Sequence, residues 1–399
     1  MSLANGRHYL AIPGPSVMPD RVLQAMHQPA PNIYTGALVE MVATLIPDLK
    51  AIAGTRHRAA IYIANGHGIW EAAIANTLKR GDKALVLATG RFGIGWGEMA
   101  TAMGIETHVL DFGLHSTLDL TQVAAALRAD KTHEIKAVTT VHVDTSTSFR
   151  NDIKALRETI DAVGHPALLM VDCIASLGCE EFQMDAWGVD VMIAASQKGL
   201  MTPPGIGFVF YNDKAEKARE TLGQISKYWD WTVRGNPQEF YEYFCGTAPT
   251  HHLFALREAL NMLVHEEGLD SAYRRHKILA NAVWAALDAW GQEGSIRMNV
   301  TDAALRSHAV TSVKIDAPLG TTLRDYLTKN LGVTLGIGLG MAPGGSPEWH
   351  GYFRIGHMGH VNAHMVLGTL ACIDAGLKAL KIPHGNGALE AATRVISEA

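Results

Sequence analysis

Between about residue 59 and residue 211 the chain keeps returning to one pattern: a short run of apolar residues, a glycine or polar residue closing it, then a stretch of helical periodicity. The runs are AIYIA at 60–64, KALVL at 83–87, residues 135–143, ALLMV at 167–171, VDVMI at 189–193 and GFVFY at 207–211. A strand with one wet face alternates polar and apolar residues. Runs that are apolar almost throughout need cover on both faces, which helices crossing between parallel strands provide. The pattern predicts an α/β chain built on a large, doubly wound, mainly parallel sheet.

Past this region the periodicity changes. Helical patterns over 251–263 and 269–290 lead to strand-like stretches at 308–315 and 352–355, with helices between and after. That order predicts a smaller α+β C-terminal domain, with residues 1–254 forming the N-terminal segment and large domain and 255–399 the small one. The glycine-rich stretches 90–97 and 336–351 read as broken chain, the second as a loop bordering a site.

Composition narrows the function. Of 399 residues, 48% are hydrophobic and 18% charged, which suits a globular chain with a sizeable core. A formal net charge of −5 supplies no basic stripe for nucleic acid. Cys173, Cys179, Cys245 and Cys372 form no metal-ligand or redox spacing and read as reduced thiols. The N-terminus is polar and soon broken by Pro13 and Pro15, and no apolar run reaches membrane-spanning length. A cytoplasmic protein engaging neither membrane nor nucleic acid is expected.

Open α/β sheets bind ligands at the carboxyl ends of their strands. That rule directs attention to Asn65, Thr89, Asp144, Asp172 and Ser196, the polar residues that close the runs. Lys198 lies just beyond, in ASQKG. Read alone, it is equally a lysine snorkelling from a strand end or a desolvated amine able to attack a carbonyl. Asp172 follows five apolar residues and reads either as a turn aspartate or as a carboxylate facing Lys198 from the next strand. Gly66-His67-Gly68 ends a strand and opens a helix, where backbone N–H groups suit phosphate. Phe92 offers an aromatic face, or a core ring. Arg354, inside an apolar strand, needs an anion, either a substrate carboxylate or an internal partner. A lysine, a facing carboxylate, a phosphate turn and an aromatic face are the parts a pyridoxal-phosphate (PLP) enzyme requires.

The motifs PGP at 13–15, NGHG at 65–68, TST at 145–147, VDCIASLG at 171–178, SQKGL at 196–200, PPG at 203–205 and RIGHMG at 354–359 run in one order along nearly the whole chain. In them the chain resembles the class V, fold-type-I PLP-dependent aminotransferases, and among these the alanine–glyoxylate and serine–glyoxylate group. The resemblance implies that Lys198 forms the Schiff base and shuttles a proton, and that Asp172 holds the pyridine nitrogen. Ile174 would pack beneath the ring and Phe92 above it. Gly66, His67 and Gln197 would hold the phosphate, and Thr145 or Ser146 would meet the ring hydroxyl. Arg354 would bind the substrate carboxylate, with Gly14 beside it. Thr247 would reach the phosphate of a partner subunit, implying a homodimer with shared sites. Phe92, Phe244 and Phe149 depart from the residues usual in that family.

The activity so implied is ping-pong transfer of an amino group from serine or alanine to glyoxylate or pyruvate. A pyridoxamine–pyruvate aminotransferase is the nearer alternative, suggested by RIGHMG and by GALEAA at 387–392. In another class, His357, His360 and His364 offer spacings for a metal enzyme. Glycines 90–97 lack dinucleotide-binding spacing, and Cys372, in an apolar helical run, does not suit a desulfurase.

Overall fold

The computed structural model describes residues 2–399. Seven strands form the large sheet: β2 (Arg58–Tyr62), β3 (Lys83–Ala88), β4 (Glu106–Asp111), β5 (Ile135–Val141), β6 (Leu168–Asp172), β7 (Val191–Ala195) and β8 (Gly207–Tyr211). Their spatial order is β2-β8-β7-β6-β5-β3-β4. The pairings from β4 through β7 are parallel, and β8 runs antiparallel to both of its neighbours. The link 196–206 between β7 and β8 carries no crossover helix, so the chain returns antiparallel. Every residue of β6, β7 and β8 is buried, as wholly apolar runs require when helices cover both faces.

A second sheet has the order β1-β11-β12-β10-β9, built from β9 (Arg297–Met298), β10 (Val310–Lys314), β11 (Val333–Ile337), β12 (Tyr352–Gly356) and the N-terminal β1 (Tyr9–Ala11). Strand β1 pairs parallel with β11, so the first residues of the chain lie beside its last third. The helices Leu269–Trp290, Ala363–Ala379 and Ala388–Ser397 pack against this sheet. None of the helices among the described residues is long and apolar enough to cross a membrane.

Several local expectations are corrected. The glycine-rich stretch 90–97 lies within a helix, Arg91–Ala102, rather than broken chain. Strand β4 has no apolar run: it is an edge strand whose residues are mostly exposed. The stretch 336–351 begins inside β11, because Gly336 and Ile337 pair with Arg354 and Phe353 of β12. The helical pattern 251–263 is an α-helix over Thr250–Leu260 and widens into a π turn at Asn261–Glu267.

Candidate active site

The carboxyl ends of β5, β6 and β7, the start of the helix Gly66–Ala75 and the segment 13–15 enclose a cavity of about 820 Å³ including its open mouth. Gly14, Gly66, His67, Phe92, Thr145, Asp172, Ile174, Gln197 and Lys198 all line it. Residues scattered over the first half of the chain thus meet where the rule for open sheets places a ligand.

Lys198 follows β7 in a tight turn fixed to the N-terminal segment. Its carbonyl accepts from Ser16 Oγ at 2.6 Å, and the Gln197 carbonyl accepts from the Ser16 amide at 2.8 Å. Lys198 Nζ donates to the carbonyl of Pro13. Burial, and then the positive charge of Arg354, lower this amine to about 8, against the opposing pull of Asp172. Gly14 (φ +92°) passes directly over the lysine stem, and any side chain there would collide with it.

Asp172 is the last residue of β6, and its strand neighbour Ile193 belongs to β7. Its Oδ1 accepts from the Ile174 amide and its Oδ2 from Trp70 Nε1, each at 2.7 Å. Burial raises this carboxyl to about 6, while those two donors work in the other direction. A cationic partner beside this carboxyl would favour its ionised form.

Asn65 caps the helix Gly66–Ala75: its side chain accepts from the Gly68 amide at 3.2 Å, and its carbonyl from the Ile69 amide. The amides of Gly66 and His67 remain at the cavity wall, at the positive end of the helix dipole. A Cβ on Gly66 would sit 2.6 Å from Ile174 Cδ1, so a side chain there would have to displace that methyl group. Gln197 Oε1 is buried there with no partner among the described residues.

Phe92 is placed by a residue to which the sequence assigned no role. Asp144 is fully buried, and its Oδ2 accepts from the Phe92 and Gly93 amides at 2.9 and 3.2 Å, capping the helix Arg91–Ala102. Its Oδ1 takes the Ser146 amide at 2.9 Å and the Ser146 hydroxyl at 2.5 Å. Ser146 is consequently turned toward Asp144 and Arg91, and Thr145 is the member of that pair which lines the cavity.

Arg354, in β12, donates from Nη1 to the Thr145 carbonyl at 2.7 Å and from Nε to the Ile337 carbonyl at 2.6 Å. Burial, with Arg324 nearby, lowers it to about 10 despite the attraction of Asp144. It has no carboxylate salt-bridge partner among the described residues. Thr247 is not brought to this cavity: it lies exposed in the turn before the helix Thr250–Leu260. Phe244 is buried.

The histidine trio does not assemble. His357 engages both ring nitrogens, with Thr311 Oγ1 at 2.9 Å and the His308 carbonyl at 2.8 Å. His360 lines a different cleft and His364 lies in the first turn of the helix Ala363–Ala379. Cys372 lies farther along that same helix, away from the cavity.

A family model described as aminotransferase class-V matches residues 8–347. The chain is 37% identical to the serine–glyoxylate aminotransferase of Methylorubrum extorquens, an alignment spanning 97% of this chain and 96% of that one. It is 33% identical to the serine–glyoxylate aminotransferase of Arabidopsis thaliana, over 97% and 95% of the two chains. Among solved structures it superposes on the ureidoglycine–glyoxylate aminotransferase of Bacillus subtilis with a TM-score of 0.87 and 26% identity, covering 100% of both chains.

Proposed function

Since the chain belongs to the class-V aminotransferases, with their fold-type-I architecture, we propose that it holds PLP through Lys198 and moves an amino group from serine or alanine to glyoxylate or pyruvate. The observation that carries this reading is the convergence of Lys198, Asp172 and the Gly66–His67 amides on one cavity. The donor set suits the cofactor. The amides at the helix N-terminus fit a phosphate, with the Nε2 group of Gln197 the part of that side chain able to donate to it, Asp172 fits a pyridinium, and Phe92 and Ile174 supply apolar surfaces for the ring.

Bound PLP supplies an electron sink for the charge left when a substrate Cα loses its proton. The protein's own residues do the rest. Lys198 Nζ, with its lowered pKa, reaches the neutral amine near neutral pH and so serves as nucleophile and then as base at the substrate Cα. Asp172, held by Trp70 and Ile174, keeps a proton on the ring nitrogen. Arg354 does not itself line the cavity; anchored through Nη1 to the Thr145 carbonyl of the cavity wall and through Nε to Ile337, it would turn the rest of its fork to the substrate carboxylate. Thr145, on the cavity wall, would meet the ring hydroxyl.

The charged side chains on the cavity wall are Lys198 and Asp172, and Arg354, bonded to the Thr145 carbonyl, is the cation assigned to the first carboxylate. A donor carrying a second carboxylate would meet no other cation there, which favours serine or alanine over aspartate or glutamate. The exposure of Thr247 suits a residue that completes the site of a second copy in a homodimer. Four free cysteines suit a reducing compartment, the cytoplasm.

The test follows the visible band of the PLP-loaded protein while serine, alanine, glutamate and pyridoxamine are added singly. Bleaching by serine or alanine, reversed by glyoxylate or pyruvate, supports the assignment. Turnover of pyridoxamine with pyruvate alone would replace it with the pyridoxamine–pyruvate activity. Replacing Lys198 with Ala should lower turnover at least about a thousandfold, and full activity in that variant would sink the assignment.

A further inference from the structure

The strongest unassigned feature of the site is Trp70, on the helix Gly66–Ala75. It is 2% exposed, and its Nε1 donates to Asp172 Oδ2 at 2.7 Å across 102 residues of sequence. Its ring also meets His67 at a centroid distance of 4.6 Å, Phe92 at 6.4 Å and Trp96 at 6.3 Å. One indole therefore touches the residue of the phosphate turn, the aromatic face and the carboxylate assigned to the ring nitrogen.

We propose that Trp70 is a positioning residue for Asp172, orienting its carboxylate and holding it as the anion so that the proton shared with a bound pyridine nitrogen stays on the nitrogen. This rests on the PLP reading above. A fully buried carboxylate has little water to stabilise its charge, so each fixed donor counts. Asp172 has two, the Ile174 amide and the Trp70 indole. The first is backbone and comes with the turn. The second is the only side-chain donor to this carboxylate among the described residues, and it aligns Oδ2. Without it the carboxylate becomes more basic, and the shared proton moves from nitrogen toward oxygen.

Other groups acting on Asp172 are Lys198 from the turn after β7, Asp144 from beyond β5 and the adjacent Cys173, while His67 packs on the indole ring. The His142 amide donates to the backbone carbonyl of Asp172, and its ring packs against Phe182 instead. Trp70→Phe leaves these charged groups in place and keeps an aromatic ring, but it removes part of the ring's packing on His67 and Trp96 together with the indole N–H, so a control for lost volume is needed. Trp96 supplies the control: it is stacked on Trp70, equally buried, and its Nε1 has no partner among the described residues.

The experiment compares PLP-loaded wild type, Trp70→Phe and Trp96→Phe. Its readouts are nitrogen NMR of isotope-labelled cofactor, which reports protonation of the ring nitrogen, and the pH profile of kcat/KM. Activity that needs the Asp172 anion falls as pH drops through its pKa, and losing a donor raises that pKa. The acid limb of Trp70→Phe should therefore move up by about one pH unit, with kcat falling about tenfold and KM little changed. The nitrogen resonance should shift toward the unprotonated form, while Trp96→Phe stays close to wild type in both readouts. Equal behaviour of the two variants, or no shift in either, would overturn the proposal. Should Trp70→Phe fail to fold, biosynthetic incorporation of fluorotryptophan, whose indole N–H is more acidic, should move the nitrogen resonance the opposite way; an unmoved resonance would overturn it. A wild-type protein that takes up no PLP would overturn the functional reading itself, and the role of Trp70 with it.

Discussion

Gly14 and Lys198 are packed so closely that a Cβ on Gly14 would lie 2.6 Å from Lys198 Nζ and 2.5 Å from its Cδ. The backbone there is also left-handed, at φ +92°. Gly14→Ala therefore combines about 1 kcal/mol of backbone strain with a collision that must push the lysine aside. We expect the protein to fold with kcat/KM lowered about tenfold or more. Steady-state kinetics beside a thermal melt will separate the two effects, and an unchanged kcat/KM would contradict this packing.

The lowered pKa of Lys198 has a consequence for cofactor uptake. Burial penalises the ammonium form, so the amine becomes neutral and nucleophilic as pH rises through about 8, well below the ordinary lysine value of 10.5. The rate at which cofactor-free protein attaches PLP should climb about tenfold per pH unit below that point and then level off. Rapid-mixing absorbance across pH 6–10 (a range of about four units around the lysine titration) checks this. A rate still climbing steeply at the top of the range would mean that the amine is not perturbed.

Arg354 holds Thr145 on one side and Ile337 on the other. Arg354→Lys keeps the charge and loses the fork, so KM for the amino donor should rise about 10- to 100-fold with a smaller fall in kcat. Kinetics with serine and alanine provide the measurement. An unchanged KM would remove Arg354 from the substrate site.

Glu180 binds two regions together away from the cavity. It is 2% exposed and accepts from Ser307 Oγ at 3.0 Å and from the His308 amide at 2.5 Å. His308 Nδ1 lies 2.8 Å from its other oxygen. Burial pushes this carboxyl up, but His308 and then Arg150 outweigh that effect and bring it down to about 2. A carboxyl lowered on folding adds stability above its unfolded value of 4.5 and loses that contribution as pH falls toward about 2. Glu180→Gln should cost about 3 kcal/mol at neutral pH. Denaturation of both proteins at neutral pH and in acid should show the gap narrowing between about pH 4.5 and 2.

The sequence by itself determined the large sheet, because β6, β7 and β8 are buried on both faces and apolar composition is the direct mark of that environment. It also pointed to the polar residues at the strand ends, since a parallel sheet places all such ends on one side. The motifs at 65–68, 171–178 and 196–200 led to the same wall of the cavity. Tertiary structure decided what depends on partners remote in the chain. The edge strand β4 has no apolar run because only one strand flanks it. Residues 91–102 stay helical despite their glycines because buried Asp144 caps their first turn from 52 residues away. Strand β1 exists through pairing with β11, which local sequence does not encode. Trp70 reads in the sequence as one more apolar position on a helix, and only the packing of that helix over β7 and β8 aims its N–H at Asp172 at the end of β6. Local patterns encode burial and turn chemistry, which act over a few residues. Hydrogen bonds between distant side chains are set only when the chain closes on itself.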